Sequence, residues 1–448
     1  MSDSAFSRDP GFSRRKFLGG VGALVLGGLG VSACGSDGGS GASAKGGTTN
    51  LDFVVWTYSV ETVKDNVSKW MSSNSGVNVR LQDYGWDQYH DTMVQRLSSK
   101  TPTDVLYNNG SWLAEFASAG WVVPIEDYID FDKYRPDIVP YALEGLTYQD
   151  KAYGLPYYAD IASFMWNPTV AKKYGVDRAP TSWDEVADMA TTMKSKGLSS
   201  PILWEFSQTN PSSLDEFIAM SMSRGGEVFD DQMNPTIEDP NSPAFKHAEF
   251  MAATVKNKLA TMSPAELDAV KAMNTGQHAF TCMYNYNLAA LNNKGTSPLA
   301  GQFELAMMPG ETKSTLGYLR FYSLSKMAVD RGGDVAKKAA TFIESMGGAP
   351  GGDYAVAKRW AVERGLGFGI LPLFDDPEVK QAFGTWVDVD VLREQQKLAK
   401  VKREAKWTGI WGNTMLLQLS KAFAGEITVA QAMKTAADKA RELKQQFA

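Results

Sequence analysis

Apolar positions along this chain switch repeatedly between short unbroken runs and a helical period. Residues 51–56 form one such run, and 60–73 then place Val63, Val67, Trp70 and Met71 at helical spacing, so a strand followed by an amphipathic helix is expected. The pattern repeats in 76–81 with a helix over 86–98, and in 104–107 with a helix over 112–118 for which Ser111 is the expected cap. Strands alternating with helices of this length predict a parallel sheet covered on both faces. Ligands of such sheets sit beyond the carboxyl ends of the strands, which singles out the turns at 56–59, 83–86 and 108–111. Further on, 161–166, 200–204, 279–283 and 316–325 read as strands. Residues 255–275, 336–345 and most of 407–448 read as helical, with Ser182 or Thr181 capping the helix after Pro180 and Thr428 opening the last one.

The first segment follows a different pattern. Arg14 and Arg15 precede a glycine-rich apolar run over 21–31 that is too short to stay in a bilayer, which predicts a twin-arginine export signal over 1–33. Val31, Ser32, Ala33 and Cys34 resemble the bacterial lipobox, so Cys34 is the expected lipidation site. Residues 34–50 are almost all small or polar and predict a flexible linker. The expected location is therefore the outer face of the cytoplasmic membrane, held by lipid.

Cys34 and Cys282 are the two cysteines, so no disulfide remains within a lipidated chain and stability must come from the core. At 448 residues the chain is too long for one ordinary core and suits two lobes. The formal charge of −6, with no cluster of lysine or arginine, argues against nucleic acid as a partner. Twelve tryptophans and 17 tyrosines, many at the ends of apolar runs beside Asn, Asp or Gly, fit a site that presents flat apolar faces to sugar rings.

Reactive constellations are missing. The three histidines stand singly, the dipeptide Gly-Lys of a phosphate loop does not occur, and there is no Gly-x-Ser-x-Gly elbow. The glycines at 365, 367 and 369 lack dinucleotide spacing and read as a loop, and Asp230-Asp231 and Asp375-Asp376 read as turns. A lipid-anchored carbohydrate enzyme stays open only because sequence does not show how far apart two carboxylates lie.

Against this background the order of Ala119-Gly120-Trp121, Gly154-Leu155-Pro156-Tyr157, Trp166-Asn167, Pro180 to Glu185, Gly225-Gly226-Glu227, Gly317-Tyr318 and Gly425 to Ala432 resembles the extracellular solute-binding proteins of bacterial ABC importers, the group that includes maltose-binding proteins. The resemblance implies a two-lobed α/β periplasmic-binding-protein-like fold, each lobe a mostly parallel sheet flanked by helices. It implies three hinge crossings, near 157–162, 282–285 and 317–321, with lobe 1 formed by 51–158 and 284–318 and lobe 2 by 159–283 and 319–448. It further implies a monomer without cofactor or metal that takes a neutral sugar or polyol and hands it to the membrane permease. Tyr318 departs from the family, where a second glycine is common, and 205–213 matches no ligand signature.

Residues expected to meet the ligand are Trp56, Tyr84, Trp86, Tyr157, Tyr284 and Trp411 by stacking, Asn108, Asn109, Asp160, Glu205, Asn285 and Arg320 by hydrogen bonds, and Tyr58, Trp204 and Tyr318 alongside them. Tyr157 and Asp160 are expected to face the ligand with Tyr158 turned away, an expectation that leans on alternation along the strand. Trp411 reads equally as a core tryptophan and Arg320 as a surface ion pair. An Arg320 facing the cleft would instead favour a phosphorylated or acidic ligand such as a glycerophosphodiester.

Overall fold

A computed structural model of the chain describes residues 48–332 and 334–447. The expected signal at 1–33, Cys34 and the linker up to residue 47 lie outside the described residues. The linker expectation is corrected at its end, because Thr49 and Asn50 already pair in parallel with Val77 and Asn78. Among the described residues no helix is long and apolar enough to cross a membrane.

Thirteen strands occur among the described residues: β1 (Thr49–Trp56), β2 (Val77–Tyr84), β3 (Val105–Asn109), β4 (Val122–Val123), β5 (Thr147–Tyr148), β6 (Lys151–Ala152), β7 (Gly154–Trp166), β8 (Ile202–Glu205), β9 (Ala260–Ser263), β10 (Phe280–Tyr284), β11 (Glu304–Ala306), β12 (Thr315–Ser325) and β13 (Ala399–Lys400). The main sheet runs β2-β1-β3-β12-β7-β10-β8-β9, with β11 on β7 and with β4 and β13 on β12. The β2-β1-β3 and β10-β8-β9 groups are parallel, as the strand–helix alternation predicts, while β12 is antiparallel to both β3 and β7. The helix expected over 255–275 is broken by β9, an edge strand of four residues too short to set a period of its own.

Two strands carry the chain between the halves of this sheet. β7 is long enough that Gly154 to Ile161 pair with β12 while Ala162 to Trp166 pair with β10, and β12 likewise joins β3 at its far end. One hydrophobic core holds Phe53, Tyr107, Phe116, Tyr322, Phe342 and Trp360, and a second holds Phe164, Trp183, Trp204, Phe217 and Trp411. The crossings expected at 157–162 and 317–321 coincide with these strands. The one expected at 282–285 is corrected: β10 stays in the second half, pairing with the end of β7 and with β8. The third passage lies at 399–407, where β13 pairs with Thr315 and Leu316 and Trp407 enters the second core.

The expected lobe boundaries shift accordingly. Phe321 to Leu324 pair with β3, Phe342 packs on Phe53 and Trp360 on Tyr157, so this part of the segment from 319 to 398 packs with the first half, while near its end the Trp386 carbonyl and Gln395 accept from Asn292 and the Met308 amide. β11, expected in lobe 1, pairs with Phe164 to Trp166 of β7. Apolar periodicity marks helices well, but it carries no record of which sheet each helix covers.

Candidate functional site

The carboxyl ends of β1, β2 and β3 converge beside the midpoints of β7 and β12. Trp56 closes β1 and lies buried beneath Trp86, the first residue of the helix Trp86–Ser98, with ring centroids 5.3 Å apart and edge to face. Trp86 also stacks on Trp112 at 5.6 Å and is 42% exposed, an unusual state for so large an apolar ring. Asn109, not Ser111, caps the helix Gly110–Ser118: its Oδ1 accepts the Ser111 amide at 3.1 Å and also the Arg320 Nη1 at 3.0 Å. The Arg320 guanidinium lies 5.1 Å from the Trp86 ring centroid and 5.3 Å from that of Tyr318.

From Arg320 the row continues into the second half of the sheet. The Tyr318 ring is 4.7 Å from Tyr284, which stacks at 5.9 Å on Tyr286. The Tyr318 hydroxyl is 2.8 Å from that of Tyr158, and Tyr158 donates to Asp160 Oδ2 at 3.2 Å. Asp160 Oδ1 accepts the Ile161 amide at 2.9 Å. Burial pushes the Asp160 carboxyl up to about 7, against the hydrogen bonds from Ile161, Tyr158, Tyr318 and Asn285 that favour its charge. The loop at 365–369 closes over this carboxyl so tightly that a Cβ on Gly367 would come within 2.9 Å of its Cγ.

Charges on the second-half wall are mutually engaged. Tyr284 donates to Asp215 Oδ2 at 2.7 Å, and Lys402 donates to Asp215 Oδ1 at 2.8 Å while pairing with Glu404 at 2.9 Å. Burial disfavours the Lys402 charge, yet Asp215 and Glu404 outweigh it and hold the ammonium above the ordinary lysine range. Behind them burial pushes the Glu205 carboxyl up to about 7, with the charge of Glu266 adding to it, and raises the Glu216 carboxyl, with the charge of Glu205 adding to it. Glu205 also accepts from Asn210, which caps the helix Pro211–Ser223.

Of the residues expected from sequence, Trp86, Asn109, Asp160, Tyr284, Asn285, Tyr318 and Arg320 gather at this junction, with Trp56 beneath and Glu205 behind. Trp204 and Trp411 do not: both are fully buried, their indole N–H groups donating to Thr254 and to the Ala436 carbonyl at 3.0 Å. Tyr157 is corrected too. Period two puts Tyr158 on the face of Asp160, and Tyr157 turns into the first core, stacked on Tyr107 at 4.4 Å. A bulge makes room for it, since Arg320 pairs with Tyr158 and Phe321 with Pro156. Asn108 is buried and bonds Ser323, Tyr84 is engaged by Arg96, and Tyr58 lies against Trp360. Sequence reasoning missed Trp112, Tyr158, Tyr286, Asp215 and Lys402. The parity of 158 with 160 and of 286 with 284 was a usable signal, whereas nothing local marks Lys402, which arrives with the unrecognised third passage.

The family model described as "Bacterial extracellular solute-binding protein" matches residues 56–353. A "Probable ABC transporter-binding protein" of Deinococcus radiodurans is 26% identical over 268 residues, 56% of this chain and 60% of that one, so the chain spans less than two thirds of the length of this curated relative. Among solved structures, the sugar-binding protein MalE of Xanthomonas citri superposes with a TM-score of 0.76 at 15% identity, covering 89% of this chain and 98% of that one. Maltose-bound MalE3 of T. maritima gives a TM-score of 0.72 at 18% identity, covering 88% and 100%. At such identities the likeness is one of fold.

Proposed function

We propose that this chain, which belongs to the bacterial extracellular solute-binding protein family and is therefore a binding protein rather than an enzyme, captures a saccharide or polyol between its two lobes and delivers it to an ABC permease. The observation that carries the reading is the row Trp86, Arg320, Tyr318, Tyr284, which runs from one half of the sheet to the other through the crossing strand β12. Aromatic faces take the C–H faces of a sugar ring, while Asn109 and Asn285 serve its hydroxyls. A ligand touching both sides of the junction shifts the open–closed equilibrium by its differential affinity for the closed form. Export by the twin-arginine signal and anchoring through lipid on Cys34 complete the proposal: the protein works as a monomer, tethered where the permease opens.

Thermal-shift screening against mono- and oligosaccharides and polyols tests this. A true ligand at 100 times its Kd raises stability by about 2.7 kcal/mol. Trp86→Ala is expected to weaken any hit by about tenfold or more while leaving the melting temperature of the free protein near its original value, because the ring is exposed rather than a core element. A hit that is chemically altered on incubation, or one whose affinity is indifferent to Trp86, contradicts the proposal.

A further inference from the structure

We propose that the ligand is an anionic saccharide and that Arg320 reads its charged group; this rests on the junction being a saccharide site. Arg320 pairs with no carboxylate among the described residues, as is also true of Arg96, Arg224 and Arg364. Arg80, Arg331, Arg359 and Arg403 each pair with carboxylates, and Arg96 engages all three of its nitrogens with Thr103, Tyr84 and the Pro102 carbonyl. In Arg320 only Nη1 is engaged, by Asn109 Oδ1 at 3.0 Å and the Leu319 carbonyl at 3.2 Å. Nε and Nη2 make no hydrogen bond among the described residues.

The neighbouring acids do not supply the missing countercharge. Asp215 has one oxygen on Tyr284 and the other on Lys402, and Asp160 is 1% exposed beneath Tyr158. Trp86 and Tyr318 flank the guanidinium, and Asn109 fixes its plane, so a rigid fork with two unused donor positions is presented at the junction. Closing the lobes around a neutral ring would strip water from this charge without replacing it, which is costly. A carboxylate meets the fork with two parallel N–H···O bonds, and a phosphate does so with two of its oxygens. The sequence expectation of a neutral ligand rested on the absence of a basic cluster; one unpaired arginine in a closing junction is enough to reverse it.

The test is calorimetric titration of the full chain with glucose, glucuronate and glucose 6-phosphate, and with maltose against digalacturonate. An anionic member is expected to bind about 10–100 times tighter than its neutral counterpart, the range of a charge-assisted hydrogen bond, and to weaken with added salt. Arg320→Gln should bring the ratio of acid to neutral affinity down to about one, and Arg320→Lys should restore part of that ratio for the phosphate more than for the carboxylate. The melting temperature of each free variant establishes that the fold survives. Equal affinity for acid and neutral partners, or an equal loss of both in Arg320→Gln, overturns the inference while leaving the saccharide site standing. Failure of every saccharide, charged or not, overturns the site itself and the inference with it.

Discussion

Trp411→Ala is expected to destabilise the protein by about 3–5 kcal/mol and to leave ligand affinity unchanged in whatever fraction stays folded. The indole is 2% exposed, packs edge-on against Phe229 at 4.6 Å and donates to the Ala436 carbonyl, so its removal opens a cavity between the helices Thr408–Phe423 and Val429–Gln446 and leaves a carbonyl without its partner. Urea unfolding combined with calorimetry checks both halves. A loss of affinity without loss of stability would return Trp411 to the ligand site, where its aromatic character alone had placed it.

The second large effect concerns Asp160 and appears only as pH changes. Its carboxyl titrates near 7 in the folded protein because it is buried, against 3.8 when exposed. An acid whose folded pKa is raised costs the fold nothing below the unfolded value. As pH rises from about 4 to 7 the unfolded chain releases the proton and the folded one does not, so the wild type loses stability over that window and the loss is complete above it. Asp160→Asn stays neutral throughout and keeps an oxygen for the Ile161 amide. Its stability relative to the wild type should therefore rise by about 2–3 kcal/mol between pH 5 and pH 8. Denaturant titrations at the two pH values measure this difference, in which the other buried carboxyls, Glu205 and Glu216, cancel. A difference that stays constant with pH would mean that Asp160 is charged in the fold at both.

What the sequence made legible was local. The βα order of the first half and the Thr428 cap follow from runs, periods and turn residues within a few positions of one another, whereas the two crossings at 157–162 and 317–321 came only with the family resemblance. Trp86 and Asn109 were reachable by the rule that ligands sit beyond strand ends, whereas Arg320 lies in the middle of β12. The rest depended on pairing across the chain. Trp204 ends a strand as Trp86 follows one, but β8 lies between β10 and β9 with a helix over it, so the ring goes inward. The passage at 399–407 has no composition that distinguishes it from a loop, and Lys402 and the true boundary of the lobes were hidden with it. The bulge at Tyr157 is likewise a property of two strands rather than of one.

Closure around a sugar at the junction of β7 and β12 is the central claim, and solution scattering of the full chain with and without its best saccharide tests it most directly. Saturating ligand is expected to lower the radius of gyration of the wild type, and Trp86→Ala, free of ligand, is expected to scatter like the free wild type and to contract only at correspondingly higher ligand concentration. Tight binding with an unchanged radius of gyration, or contraction insensitive to Trp86, would contradict it.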